Sequence, residues 1–276
     1  MNIALCFCVR NCGMYLDKIF KNIELLKILN FKIFSIFVYD NCSDNSEDLL
    51  LEYKKKYKDS SNCDYVIVEK IINKSNLRTV RIAKARNVCL DIVYNKLDNI
   101  SFHIMIDSDN VCSSKWNIDI INKYLNNFDG DNWDSISFNK DRYYDIWALL
   151  YDDFKHHSWG YKGYNKAHEV VDIMATDIVE KLKTSESNSI EVYSAFNGFA
   201  IYKTERFNGF YYDGLYKNFK SLVTDIERKK TLEILKKKYN LDVEIKEAKE
   251  CCEHLFYNLS AYKKGRKNKI SKFIVI

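Results

Sequence analysis

The first 110 residues alternate between short apolar segments and longer segments in which apolar residues recur with helical spacing. Apolar runs with strand character occupy residues 2–10, 33–39, 65–70 and 101–107, and helical spacing is found in residues 14–30, 46–57 and 79–94. A chain that alternates strand and helix in this way places its strands in parallel, with right-handed helical crossovers. The sequence therefore predicts an α/β fold with a mostly parallel central sheet flanked by helices.

The pattern becomes less regular after residue 110. Short strands are predicted at 134–138, 189–193 and 198–202, helices at 167–182 and 225–239, and an aromatic and acidic segment spans 141–154. The basic segment KKGRKNK, residues 263–269, is typical of an exposed surface stretch. We expect a mixed C-terminal half, within a single domain over residues 1–276.

The composition is that of an ordinary globular protein, with 47% hydrophobic residues in 276. The net charge of +5 comes from 43 basic and 38 acidic residues of mixed order, which argues against a dedicated nucleic-acid binder. No apolar run approaches the roughly 20 residues of a membrane span, and the N-terminus lacks a signal-peptide pattern. The nine cysteines are odd in number and lie mostly in apolar or helical patterns, so reduced thiols in a soluble cytoplasmic protein are expected.

Polar side chains follow two of the predicted strands. Asp40 and Asn41 end the second strand, and Asp107 and Asp109 end the fourth. Because parallel sheets bind ligands at the carboxyl ends of their strands, both clusters should face one crevice. Two carboxylates so close together repel each other, and Mg²⁺ or Mn²⁺ would relieve that repulsion while holding a diphosphate. The alternative is that both clusters are surface turns whose side chains bind their own backbone.

Short motifs also recur along the chain in a particular order. They are VYDNCSDNS (38–46), RIAKARNVCLD (81–91), MIDSDN (105–110), YYDIWAL (143–149), FNGFAIYK (196–203) and CEHLFYN (252–258). In this order they resemble the motifs of the GT-A class of nucleotide-sugar glycosyltransferases, and within it the family-2-like and CAP59-like enzymes. The resemblance covers roughly residues 2–260. It implies a GT-A fold in which residues 1–110 bind the nucleotide and residues 111–276 form the acceptor and catalytic half.

The resemblance also implies a set of donor-binding residues. The donor would be a UDP- or GDP-linked sugar bound with Mn²⁺ or Mg²⁺, and the enzyme would be of the hexosyltransferase type. The donor side would be formed by Asp40, Asn41, Arg78, Arg81, Arg86, Asn87, Asp107 and Ser108. Asp40 and Asn41 would bind the base or ribose, and the arginines would pair with the diphosphate or with Asp107. The alternative for the arginines is an ordinary solvated helix face.

For the metal, the resemblance implies Asp107, Asp109 and a late histidine, His254. For catalysis, Glu253 or Asp213 is the candidate general base. Here the family pattern leaves the choice open, because no clear Glu-Asp pair lies between the glycine segment and the histidine.

The acceptor side is predicted from aromatic, acidic and glycine residues. Trp147 could stack on a sugar face while Asp145 binds hydroxyls, with core packing as the alternative for the tryptophan. Asn197 and Gly198 would lie beside the donor sugar or the acceptor, with a β-bulge as the alternative. The expected partners are a nucleotide sugar and a glycan or hydroxyl acceptor.

Two other functions stay open. A sugar nucleotidyltransferase usually carries a glycine-rich loop near its first strand, where only Gly13 is found. The other is a catalytically silent GT-A-like glycan-binding protein. Outside these motifs, the histidines at positions 156, 157 and 168 match no metal-binding spacing and are expected at surface or acceptor-loop positions.

Overall fold

The computed structural model describes residues 1–58, 65–126, 132–152 and 154–276. Cys63, and Asp153 of the aromatic and acidic segment, lie outside the described residues. The described strands form an eight-stranded sheet in the order β3-β2-β1-β4-β7-β5-β8-β6. These strands are β1 (Asn2–Val9), β2 (Lys32–Asp40), β3 (Tyr65–Ile71), β4 (Ile100–Asp107), β5 (Ser135–Asn139), β6 (Ser189–Val192), β7 (Phe199–Lys203) and β8 (Asn268–Ile274).

Nine α-helices are described around this sheet. They are α1 (Gly13–Leu26), α2 (Ser46–Lys58), α3 (Arg78–Asn95), α4 (Ile118–Leu125), α5 (Tyr164–Thr184), α6 (Thr204–Phe207), α7 (Tyr216–Leu222), α8 (Asp225–Tyr239) and α9 (Glu253–Lys263). Among the described residues, none of these helices is long and apolar enough to cross a lipid bilayer.

The first four strands pair in parallel throughout, as the alternating pattern predicts. Strand β1 lies at the centre of this group and is buried on both faces. Leu5 and Phe7 belong to the apolar cluster formed with α1 and α2, whereas Ala4 and Cys6 belong to the cluster formed with α3 and α9. Because successive strand residues point to opposite faces, a strand that is apolar at every position requires helices on both sides.

The second half of the sheet is mixed, which confirms the predicted fold class. β7 is antiparallel to β4 and β5, β8 is parallel to β5, and β6 is antiparallel to β8. A third apolar cluster lies beneath α5 and α8 and includes Met174 and Leu235. The helices predicted at 167–182 and 225–239 fall on α5 and α8.

One prediction about the second half holds in part and another is wrong. The basic segment 263–269 is exposed or half-buried as predicted, except at Asn268, which is buried at the start of β8. There the Asn268 side chain accepts a hydrogen bond from Ser135 and donates to the carbonyl of Asn258. His156 and His157 are also buried, packed against Tyr216, rather than exposed. The eight described cysteines are free thiols.

Candidate functional site

A cavity of about 580 Å³ opens at the carboxyl ends of β1, β2 and β4. It is enclosed by these three strand ends, the first half of α3, the start of α9 and the loop that carries residues 144–147. Its lining consists of Cys8, Val9, Arg10, Asn11, Cys12, Val38, Asp40, Arg78, Thr79, Arg81, Ile82, Ala85, Arg86, Asp107, Ser108, Asp109, Tyr144, Asp145, Trp147, Phe196, Cys252, Glu253 and His254. Asp40 and the acidic pair, Asp107 and Asp109, therefore share one crevice, as the strand-end rule predicts.

The positive partner of the acidic pair is an arginine of α3. Arg86 Nη2 lies 3.1 Å from Asp107 Oδ1, and Arg86 Nε lies 2.9 Å from Glu253 Oε1. The guanidinium also lies over the ring of Phe196, with its Cζ 4.7 Å from the ring centroid. Both Arg86 and Glu253 are buried, so their charges are protected from screening by solvent. Arg86 Nη1 is buried without a hydrogen-bond partner.

The backbone of Asp107 is fixed by a hydrogen bond, and the pKa of its carboxyl is shifted by burial and neighbouring charges. Its backbone N–H donates to the carbonyl of Gly198 at 2.9 Å, which ties the end of β4 to the segment before β7. Burial raises the pKa of the Asp107 carboxyl to about 6, the Arg86 charge opposes that rise, and the Asp109 charge adds to it. Asp109 itself accepts a hydrogen bond from the backbone of Val111 at 3.0 Å. The two carboxylates differ in environment although one residue separates them.

Gly198 allows the close approach of these two segments. Its φ of +88° lies in the left-handed region, and a Cβ there would lie 2.8 Å from Val111 Cγ1. The neighbouring Asn197 also has positive φ, and its amide oxygen accepts hydrogen bonds from the backbones of Tyr144 and Asp145 at 2.9 and 3.0 Å. Asn197 and Gly198 are absent from the cavity lining, so both act by positioning residues that do line it.

Asp145 is the most perturbed carboxyl of the cavity. Burial and the nearby charges of Asp107 and Glu253 together raise its pKa to about 7, whereas the Arg86 charge opposes the rise. A carboxyl with such a pKa exchanges protons near neutral pH, as a general base must. Trp147, on the same loop, lines the cavity and is 42% exposed, so the core-packing alternative does not apply to it.

The donor-side candidates divide into two groups. Asp40 and Ser108 line the cavity, and Asp40 Oδ1 and Ser108 Oγ are buried without hydrogen-bond partners. Arg78 and Arg81 also line it, and Arg81 Nη1 donates to the carbonyl of Ser75 at 3.1 Å. These side chains keep polar atoms available on the cavity side.

The other donor-side candidates and one candidate base do not line the cavity. Asn41 is exposed beyond the end of β2, with φ of +33°. Asn87 exchanges two hydrogen bonds with the backbone of Tyr212, at 2.9 and 2.8 Å. Asp213 accepts from the backbone of Leu215 at 2.8 Å and from the Asn218 amide at 2.6 Å. Asn87 and Asp213 thus hold the segment that precedes α7.

The three predicted metal ligands line the same cavity. Over the described residues, however, no group of three His, Cys, Asp or Glu side chains is arranged to hold a metal ion. His254 is stacked on Phe196 with ring centroids 3.7 Å apart, and neither of its ring nitrogens has a hydrogen-bond partner. Burial and the Arg86 charge keep its pKa well below 6.5, so its imidazole is neutral. Among the three predicted ligands, Asp107 and Asp109 supply the carboxylate oxygens that Mg²⁺ and Mn²⁺ prefer.

Part of the cavity lining lies outside the motifs of the sequence. Arg10 and Asn11 follow β1 directly, so the strand-end rule that singled out Asp40 would also have found them. Thr79 was missed as well: its N–H and hydroxyl both donate to Glu250 Oε2 at 2.9 Å, which fixes the start of α3 against the segment before α9. No local sequence signal identifies that contact.

No protein-family model matches the sequence. No curated protein matches it either. Among solved structures, S. aureus TarS 1-349 in complex with UDP-GlcNAc has a TM-score of 0.48 at 13% identity, over 100% of this chain and 57% of that chain. GalNAc-T7 with UDP, GalNAc and Mn²⁺ has a TM-score of 0.45 at 11% identity, over 98% of this chain and 42% of that one.

A third similar structure is the mannosyltransferase PcManGT from Pyrobaculum calidifontis in complex with GDP-Man and Mn²⁺. Its TM-score is 0.38 at 13% identity, over 75% of this chain and 47% of that one. The chain thus spans less than two thirds of the length of each of these structures.

Proposed function

We propose that the protein is a metal-dependent glycosyltransferase that moves a sugar from a UDP- or GDP-linked donor to a hydroxyl of a glycan or another acceptor. The observation that carries the proposal is the meeting of Asp40, Asp107 and Asp109 with the arginines of α3 in one cavity at the carboxyl edge of the sheet. That combination suits a ligand with hydroxyls at one end and a diphosphate in the middle.

Residues 1–110 would hold the nucleotide. Asp40 Oδ1 and Ser108 Oγ are buried and unpartnered, so binding hydroxyl or N–H groups of a nucleoside would relieve two unsatisfied atoms. Arg78 and Arg81 line the cavity on the first turn of α3 and supply the charge for a diphosphate. Arg86 has a third nitrogen, Nη1, without a partner.

The cation, when bound, would neutralise the negative charge that develops on the departing diphosphate. Asp107 and Asp109 are the residues that would hold it. Arg86 contributes a fixed positive charge beside Asp107, at 3.1 Å, which keeps that carboxylate in place for the donor.

The acceptor proton needs a carboxylate with a free face. Glu253 is bound to Arg86, and Asp213 is bound to Leu215 and Asn218 outside the cavity lining. We assign the role to Asp145, which lines the cavity with a raised pKa. Its carboxylate takes the hydroxyl proton while the acceptor oxygen bonds to the anomeric carbon and the bond from that carbon to the phosphate oxygen breaks.

Thermal shift with UDP and GDP sugars, each with and without Mn²⁺, tests this function. We expect one nucleotide series to raise the melting temperature and Mn²⁺ to increase that effect. Asp109→Ala should abolish the Mn²⁺-dependent part and donor hydrolysis. Asp141→Ala, an exposed aspartate outside the cavity lining, is the matched control.

The same assay separates the rival functions. Stabilisation by a nucleoside triphosphate with a sugar phosphate, and none by nucleotide sugars, would instead identify a nucleotidyltransferase. Failure of all nucleotides to stabilise the protein, with Mn²⁺ present, would overturn the proposal and leave the glycan-binding alternative.

A further inference from the structure

A row of aromatic rings leads away from the cavity. The centroids of Trp147 and Trp159 are 5.3 Å apart, and those of Trp159 and Tyr164 are 6.4 Å apart. His168 completes the group, with its ring 4.6 Å from Trp159 and 4.2 Å from Tyr164. We call Trp147, Trp159, Tyr164 and His168 the aromatic platform. It draws on the loop that carries Asp145, the segment before α5, and α5 itself.

The aromatic platform is at the surface rather than in the core. Tyr164 is 74% exposed and Trp147 is 42% exposed, whereas the tryptophan Trp116 is only 1% exposed. Trp159, which contacts both of these exposed rings, is half-buried, as is His168. The two exposed rings forgo the stabilisation that burial would give, which indicates a ligand-binding surface. Trp147 belongs both to this surface and to the cavity lining, so the two are continuous.

Polar atoms without partners lie among these rings. Trp159 Nε1 and His168 Nε2 are buried and have no hydrogen-bond partner. A molecule bound at the surface would contact the exposed ring faces rather than these two buried nitrogens. Sugar rings suit such a surface, because their C–H faces stack on aromatic rings.

The charged side chains beside the platform already have partners. Lys162 pairs with Glu244 at 3.0 Å, and Lys166 donates to the carbonyl of Asp242. The Glu244 carboxylate offsets the charge of Lys162, whereas the carbonyl that Lys166 binds carries no charge.

We infer that the aromatic platform binds an oligosaccharide, with the sugar units that precede the acceptor hydroxyl stacked on Trp159 and Tyr164. The inference rests on the proposed function for the placement of that hydroxyl in the cavity. It narrows the acceptor to a glycan chain of at least two sugar units, as opposed to a monosaccharide or a small alcohol.

Isothermal titration calorimetry tests the platform with chito-, malto- and cello-oligosaccharides, each from the monosaccharide to the hexasaccharide. We expect one series to bind, with affinity that rises with chain length until the platform is filled. Tyr164→Ala and Trp159→Ala should each weaken the longer members by roughly three- to tenfold, the contribution of one stacked ring. The monosaccharide, which does not reach these rings, should bind with unchanged affinity.

Tyr65→Ala is the matched control for Tyr164→Ala, because Tyr65 is 52% exposed on the edge strand β3. It should leave oligosaccharide binding unchanged. Absence of binding by all three series, affinity independent of chain length, or equal losses in both tyrosine variants would each overturn the inference.

Nucleotide binding keeps this outcome separate from the proposed function. Tyr164→Ala should retain the thermal shift produced by the nucleotide sugar and Mn²⁺. Length-dependent oligosaccharide binding without any nucleotide effect would support the platform and refute the transferase. A nucleotide effect with no oligosaccharide binding would do the reverse.

Discussion

Arg86 Nη2 lies 3.1 Å from Asp107 Oδ1, and through this contact α3 supplies the positive charge required by the acidic end of β4. The same guanidinium binds Glu253 at the start of α9. One buried arginine therefore joins a strand and two helices from distant parts of the chain. The acidic pair can be held in place by the protein itself before any donor binds.

Replacing Arg86 with Met should lower the free energy of unfolding by about 3–5 kcal/mol, because it leaves the buried Glu253 carboxylate without a partner. Urea denaturation measures the change. The double variant with Glu253→Gln should recover part of the loss, since it removes the uncompensated charge.

Arg142→Met provides the control, because Arg142 forms a 3.9 Å pair with Asp172 and both side chains are largely exposed. That variant should change the free energy of unfolding by less than about 1 kcal/mol. Equal losses in the two arginine variants would contradict the role assigned to Arg86.

Asp145→Asn should lower the transfer rate by about 10²–10⁴-fold, the usual contribution of a general base, while leaving the nucleotide thermal shift in place. In the unaltered protein the base is active when deprotonated. With the pKa of Asp145 raised to about 7, kcat/KM should rise with pH through that value and then level off. A pH profile of kcat/KM that keeps this step in Asp145→Asn would assign the base elsewhere.

Acidification should destabilise the protein through its buried histidines. Burial and the neighbouring charges of His156 and Lys246 hold the pKa of His157 well below 6.5, and neither ring nitrogen has a hydrogen-bond partner. As the pH falls through about 6.5, His157 binds a proton in the unfolded chain but stays neutral in the folded protein. Each such histidine therefore costs up to about 1.4 kcal/mol of stability per pH unit.

His157→Leu should remove one proton from this dependence. Urea denaturation at several pH values between neutral and mildly acidic gives the slope of the unfolding free energy. The variant should show a shallower slope than the unaltered protein. Some slope should remain, because His103 and His156 are unchanged in the variant and their pKa values are lowered by burial to about 3 and about 4. Identical slopes would show that His157 is protonated in the folded protein.

Gly198→Ala should destabilise the protein more than Gly209→Ala. Both glycines have φ of +88°, so each variant carries about 1–2 kcal/mol of left-handed backbone strain. Only Gly198 faces a neighbour, since a Cβ there would lie 2.8 Å from Val111, whereas nothing lies within 4 Å of a Cβ at position 209. The clash should add about 1–3 kcal/mol, measured by urea denaturation. Equal losses of unfolding free energy in the two variants would mean that Val111 moves aside without cost.

The parallel half of the fold could be predicted from the sequence because its information is local. β1, β2 and β4 are apolar at successive positions, and helical spacing between them fixes the crossovers. β8 escaped prediction because NKISKFI follows a lysine-rich run and mixes polar with apolar residues. Its place in the sheet depends on Ser135, Asn258 and the other strands, which no window of the sequence contains.

The cavity was predictable where its residues end strands, as with Asp40 and Asp107, and less so where residues meet across the fold. The link from Arg86 to Glu253 depends on how α3 packs against α9, which helical spacing does not specify. Asp145 was predicted to bind hydroxyls; its suitability as a base follows from burial by distant segments. Charge coupling of this kind is a tertiary property.

The position of β8 between β5 and β6 also constrains how the chain reaches its folded state. β1 to β4 can pair with one another before the rest of the sheet is synthesised, since β2, β3 and β4 each pair with an earlier strand. β6 pairs with β8 alone among the described strands, so it has no strand partner until β8 has been synthesised. Closing contacts over so long a stretch of chain is slow. The part of the sheet that contains β5, β6 and β8 should therefore complete folding last, on a parallel part that is already formed.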